Sequence, residues 1–211
     1  MARRGGSGAG AQVSRPQGVP KTTAPAQVPA TSDIIGLLRE QHAQIRDLFD
    51  LVLSSTGKAR EEGFRDLVRL LAVHETAEEE IVHPVARRSL PGGDGLIDDR
   101  LAEERSAKEM LAELDGMDLD DPAFAERLDR LRVDVLSHAR AEERYEFERL
   151  GDEFDEAQRR AMATAVKLAQ ATAPTRPHPG TESATKNLLT GPFVAMADRA
   201  RDAIRKARSG D

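Results

Sequence analysis

Two histidines open the same short phrase. His74 leads His-x-x-x-Glu-Glu with Glu78 and Glu79, and His138 leads it again with Glu142 and Glu143. In an α-helix, residues four apart stack on one face, so His74 lies beside Glu78 and His138 beside Glu142. An imidazole and a carboxylate one turn apart can reach one metal ion. Two such helices facing each other can hold a pair of ions inside a bundle. The chain has no cysteine, which excludes disulfides, thiolate metal sites and a cysteine nucleophile. Any metal must be held by His, Asp, Glu or water, a donor set that suits iron, manganese or zinc. No Ser/His/Asp array, P-loop or Gly-rich dinucleotide turn competes.

The elements that position these residues are helices. Thr31-Ser32-Asp33 is an N-cap signal, and a first helix is expected from Asp33 to Ser54, with Ile35, Leu38, His42, Ile45, Phe49 and Val52 on its inner face. A second is expected from Ala59 to Val82, carrying Phe64, Leu67, Leu71, His74, Glu78 and Ile81 in line, with Pro84 ending or kinking it. Pro91 to Gly95 reads as a loop. A third helix follows to Leu114, aligning Ile97, Leu101, Glu104, Lys108 and Leu111. Asp120-Asp121-Pro122 starts a fourth, aligning Leu128, Leu131, Val135, His138, Glu142 and Tyr145. A fifth is expected over Glu153 to Thr172. No stretch alternates convincingly like a strand.

The two helical hairpins resemble each other. Laid with His42 on Glu104, the first and third helices match Arg46 to Lys108, Leu48 to Met110 and Phe49 to Leu111. Laid with His74 on His138, the second and fourth match Glu78 to Glu142 and Glu79 to Glu143. Two similar hairpins pack into an all-α, up-and-down four-helix bundle in which His42, His74, Glu78, Glu104, His138 and Glu142 converge on the axis. A buried carboxylate costs several kcal/mol unless paired or coordinated. Three of them on core faces call for compensating positive charge, which two divalent ions supply.

Neighbouring groups are read less centrally. At about 100° per residue His83 falls half a circle from His74, a boundary residue or a partner to a ligand. Glu143 replaces or joins Glu142 if the helix is locally unwound. Lys108, one turn past Glu104, is expected to pair with it, and Arg46 stands the same way past His42. His178 falls in a Pro-rich stretch and is expected to be exposed.

The organisation expected is a disordered tail over 1–30, the bundle over 31–150, an additional helix over 151–173, and a Pro-rich linker with a C-terminal helix over 174–211. The net charge of −6 is unevenly spread. Residues 1–30 carry Arg3, Arg4, Arg15 and Lys21 without an acid, and residues 158–211 hold ten basic against four acidic residues. The middle of the chain is therefore strongly acidic, which argues against nucleic acid as a partner of the bundle. The basic ends serve solubility, touch an anionic surface or fold back on the acidic domain. No apolar run approaches the roughly 20 residues of a membrane span. With no apolar stretch after the basic N-terminus to make a signal peptide, the expectation is a soluble, cytoplasmic protein.

Glu40-Gln41-His42, His74 through Glu80 followed by Ile81-Val82-His83-Pro84, and His138 through Glu143 together resemble the hemerythrin-like, or HHE cation-binding, family. The resemblance covers about residues 33–150. It implies a non-haem di-iron centre, bridged by oxygen and carboxylates, that meets dioxygen, nitric oxide, peroxide or iron itself. By position it assigns His42, His74, Glu78 and His138 as ligands, with Glu142 or Glu143 as the carboxylate of the fourth helix. The sequence departs from the oxygen carriers of that family, which place a histidine pair where Glu104 and Lys108 stand. A carboxylate there favours the ferric state and turns the expectation from reversible oxygen carriage toward sensing, peroxide or nitric oxide chemistry. Two rival readings remain: a carboxylate-rich di-metal oxidase or peroxidase, and an interaction protein working through its basic tails.

Overall fold

The computed structural model describes residues 33–171. The expected N-terminal tail, the Pro-rich linker with His178, and the last helix lie outside the described residues. Helix α1 (Ile34–Ser54) starts where the Asp33 carboxylate accepts the Gly36 N–H at 3.0 Å, an N-cap of the expected kind. Helix α2 (Gly57–Ala77) antiparallels it. A first π-helical segment (Glu78–Val82) then leads without a break into α3 (His83–Ser89). Pro84 therefore neither ends nor breaks the helix. It falls in the first turn of α3, directly after the widened turn, which takes up the register change.

The chain turns at Leu90–Gly92, with Gly92 at φ 71°. Helix α4 (Gly93–Asp115) starts inside the expected loop. A Cβ on Gly93 would stand 2.7 Å from the carbonyl oxygens of both Ala86 and Arg87, so only glycine allows this close approach. Helix α5 (Pro122–Glu142) is capped by Asp121, which accepts the Ala123 N–H at 2.8 Å. A second π segment (Glu143–Phe147) carries it into α6 (Glu148–Glu153). That segment turns Tyr145 outward to 47% exposure and places Glu146 and Phe147 inside, against the expectation of an inward Tyr145. Helix α7 (Glu156–Gln170) opens on a capping box of Asp155 and Gln158.

The protein is an all-α, up-and-down bundle of α1, α2, α4 and α5, with α7 packed across α1, α2 and the first π segment. Two apolar clusters fill it. One contains Ile45, Phe49, Leu67, Leu71, Leu111, Leu128 and Val135. The other contains Leu38, Ile81, Ile97, Phe147, Met162 and Val166. On every bundle helix the polar residues of interest lie between the two clusters: His42 between Leu38 and Ile45, Glu104 between Ile97 and Leu111. Among the described residues no helix is long and apolar enough to cross a membrane.

Candidate metal centre

The structure brings all six expected residues together. Glu78 and Glu142 are fully buried, Glu104 nearly so, and His42 and His74 are buried beside them. His138 stands at the edge, its side chain 12% exposed. They fall into two overlapping groups: His42, His74, Glu78 and Glu142, and Glu78, Glu104, His138 and Glu142. Within each group, one ligand atom from every residue lies within 4.8 Å of the others. Glu78 and Glu142 belong to both, so each can bridge two positions.

The histidine contacts divide by length. On the outer side, Nδ1 of His42 meets Glu143 Oε1 at 2.9 Å, Nδ1 of His74 meets Gln41 Oε1 at 3.0 Å, and Nδ1 of His138 meets Glu103 Oε2 at 2.8 Å. These are hydrogen-bond lengths. On the inner side, Nε2 of His42 and of His138 stand 3.4 and 3.2 Å from Glu142, and Nε2 of His74 stands 3.3 Å from Glu78. Two ligand atoms held about 2.1 Å from one ion stand roughly 3.0–3.4 Å apart. The inner contacts therefore match the edges of a coordination polyhedron. Outer acceptors on Nδ1 also fix the tautomer that leaves each Nε2 lone pair free for a metal.

The buried polar atoms agree. His42 Nε2, His138 Nε2, Glu104 Oε2 and both carboxylate oxygens of Glu78 and Glu142 have no hydrogen-bond partner, although an unpaired buried polar atom costs about 1–3 kcal/mol. Burial, then the Glu142 carboxylate, pushes the Glu78 carboxyl well above its ordinary range. Burial, then the His42 ring, depresses His74 to about 3. Burial also acts against the charge on Glu142, but His138 and His42 outweigh it and hold this carboxyl well below its usual range. The donor set and the unpartnered atoms fit a cation pair in this space.

Several surrounding residues differ from expectation. Glu143 does not join Glu142; it stays outside, where it accepts from His42. Lys108 does not pair with Glu104. Its ammonium donates to Glu79 and stands 3.9 Å from Glu75, because the second helix presents those carboxylates to α4 at that level. Arg46 pairs with neighbouring Asp47 on the surface. Of the two readings for His83, the structure shows the partner to a ligand and not the boundary residue. His83 is 2% exposed, with Nε2 2.5 Å from Glu104 Oε1 and Nδ1 3.4 Å from Glu146 Oε1. Burial opposes its charge, yet those two carboxylates raise its pKa well above the ordinary value. The step that displaced it from the predicted face is the π turn, which an even 100° per residue does not anticipate.

Sequence reasoning also missed Gln41, Glu103, Glu146 and Gln170. Gln41 Oε1 accepts from both His74 Nδ1 and Gln170 Nε2, each at 3.0 Å, so α7 helps to hold a metal-facing histidine. Glu103 is gripped by Arg100 at 3.0 and 3.1 Å while it accepts from His138. The one available signal was position: Gln41 adjoins His42, and Glu103 adjoins Glu104. A cavity of about 320 Å³ reaches the cluster at His42, His74, Glu104 and His138. Its walls include Ile45, Leu71, Ala107 and Val135, and its acidic groups are Glu75, Glu103, Glu104 and Asp134, with no lysine or arginine among the described residues that line it. Burial pushes the Glu75 carboxyl up to about 8, against the pull of Lys108.

The family model of the hemerythrin HHE cation binding domain matches residues 33–150. That is more than half of the chain, and the chain belongs to this family, whose domain binds metal cations in a helical bundle. The structure is similar to that of a hemerythrin HHE cation binding domain-containing protein from Mycobacterium kansasii, with a TM-score of 0.58 and 18% identity over 80% of this chain and 99% of the other. That likeness concerns the fold. The chain is also 27% identical over 139 residues to a protein of Nostoc sp. (strain PCC 7120) named DNA nickase, covering 65% of this chain and 39% of that relative. It thus spans well under half the length of the curated relative it matches.

Proposed function

We propose that this is a cytoplasmic protein that holds two non-haem iron ions and through them binds or senses oxygen, nitric oxide, peroxide or iron itself. The observation that carries the reading is the split in contacts of His42, His74 and His138, with a hydrogen bond on each Nδ1 and a 3.2–3.4 Å spacing to a carboxylate on each Nε2. His42 and His74 would serve one ion, and His138 and Glu104 the other. Glu78 and Glu142 would be shared. When bound, iron supplies a redox-active Lewis acid with an open position for a small oxidant. The chain's own residues do the rest. Gln41, Glu143 and Glu103 orient the three imidazoles, and apolar walls at Ile45, Leu71 and Val135 limit water at the cavity end.

The two positions differ: two imidazoles serve the first, one imidazole and Glu104 the second. The added carboxylate favours the ferric state and supports sensing or turnover over reversible carriage. It also supports the second reading, a carboxylate-rich di-metal oxidase or peroxidase. Turnover of peroxide or ferrous iron above that of free iron separates the two. A nucleic-acid reaction like that named for the Nostoc relative is less well supported, because the described residues that line the cavity include no lysine or arginine to hold a phosphate backbone.

The test is metal content with a variant pair. Wild-type protein purified without added metal should carry iron with near-ultraviolet bands that respond to dithionite and oxygen. His74→Ala with His138→Ala should lose that iron while keeping its helical circular dichroism. Unchanged iron in the double variant would show the ligand assignment to be wrong.

A further inference from the structure

We propose that a third divalent first-row cation (ferrous iron, manganese or zinc) binds between His83, Glu142 and Glu146, next to the paired site. The inference rests on the two-ion reading to the extent that Glu142 is common to both. Ligand atoms of these three residues lie within 4.8 Å of one another, and all three residues are buried.

The π turns build this position. An α-helical count puts His83 off the inner face. In the structure the His83 N–H bonds back to the Glu78 carbonyl, five residues earlier, the wide closure of a π turn. His83 thereby returns over Glu78 into the bundle. The other hairpin carries a π segment at nearly the same place, Glu143–Phe147, where Glu146 becomes fully buried. Both insertions follow a His-x-x-x-Glu pair, and together they add a layer of inward residues beyond the six that sequence spacing predicts.

Distances within that layer repeat the pattern of the paired site. One ring nitrogen of His83, Nε2, is at hydrogen-bond distance from Glu104, 2.5 Å. The other, Nδ1, stands 3.4 Å from Glu146. A charge-assisted hydrogen bond is shorter, about 2.7–2.9 Å, whereas 3.4 Å fits two ligands of one ion roughly 2.1 Å from each. Glu146 Oε2 and both Glu142 oxygens are fully buried without a hydrogen-bond partner. With Nε2 turned to Glu104, Nδ1 faces the Glu146 carboxylate across 3.4 Å, a gap that either the ring's proton or a cation can fill. A cation here would take the place of the proton that Glu104 and Glu146 otherwise hold on the buried His83 ring, and Glu146 adds a carboxylate that the paired ions do not use; imidazole among the donors favours iron, manganese or zinc over magnesium or calcium.

The experiment is anaerobic equilibrium dialysis of metal-free, full-length protein against ferrous iron or manganese, with bound metal counted by mass spectrometry. Wild type should saturate at three ions per chain. Glu146→Gln should saturate at two while retaining the paired ions. Two ions in wild type, or three in Glu146→Gln, overturns the proposal. His74→Ala with His138→Ala keeps this failure apart from failure of the paired site. If the paired reading is wrong, that variant binds as much as wild type; if only the third site is wrong, it binds less while Glu146→Gln matches wild type. Should Glu146→Gln fold poorly, wild-type crystals grown with manganese give a direct readout. An anomalous peak between His83 Nδ1 and Glu146 supports the site, and a flat map there overturns it.

Discussion

The chemistry turns on which side of each histidine faces what. Three rings are held at Nδ1 by an outer acceptor, and the acceptors are not equal. His42 and His138 lean on carboxylates, while His74 leans on the neutral amide of Gln41. Removing such an outer partner typically lowers metal affinity about 10–100-fold. Gln41→Ala should therefore weaken metal binding by that order, read as a shifted competition curve against a chelator, with helicity retained. An unshifted curve would mean that packing alone holds His74. Lys108 calls for a different expectation. It is the buried cation facing Glu79 and Glu75, and breaking a buried pair by removing one partner costs about 3–5 kcal/mol. Lys108→Ala should lower the midpoint of chemical denaturation accordingly. Replacing Lys108 and Glu79 together by Met and Gln should recover much of that loss, since only Glu75 then remains at that contact, and without the pull of Lys108 burial keeps its carboxyl protonated and uncharged at neutral pH.

At the scale of elements, the sequence was legible wherever an even helical period held. The N-cap at Asp33, the start at Pro122 and the convergence of His42, His74, Glu78, Glu104, His138 and Glu142 all follow from 3.6-residue spacing and the repeat of one hairpin in the other. The period fails at the two π segments, and the departures cluster there: His83, which an even period sets off the inner face, is buried against Glu104, Tyr145 turns outward, and Glu146 turns in. A π turn is one extra residue in a helix with no residue type of its own, so no local signal announced it. Helix α7 was visible as a helix, but not as a supporting wall, because a contact between Gln170 and Gln41 spans 129 positions. That wall is tested by its apolar face. Met162 and Val166 are fully buried against the cluster that contains Leu38 and Ile81. Met162→Ala should cost about 2–5 kcal/mol and lower the thermal midpoint. If α7 only drapes over a finished bundle, the midpoint will stay within a degree or two of wild type.

Across the whole molecule, the buried acids make stability depend on pH, and the sign follows from where each group titrates. Burial, opposed by Lys108, pushes Glu75 up to about 8. Burial and then Glu104 push Glu79 up to about 8, and burial pushes Glu80 up to about 7, against an ordinary value of 4.5. A carboxyl raised in the fold binds its proton more tightly folded than unfolded. Its stabilising contribution is complete below 4.5 and is lost as pH climbs toward the folded value. His74, depressed by burial and His42 to about 3 from 6.5, acts oppositely, but its effect is complete above 6.5. His83 and His138, raised despite burial by the carboxylates around them, add to the loss on the alkaline side. Between pH 6.5 and 8.5 the metal-free protein should therefore become less stable, with a falling thermal midpoint. Glu80→Gln should reduce that fall, since the amide has no proton to lose. A midpoint that holds level or rises over this window would mean that these acids reach water in the metal-free protein, and that the centre is open to solvent before any ion arrives.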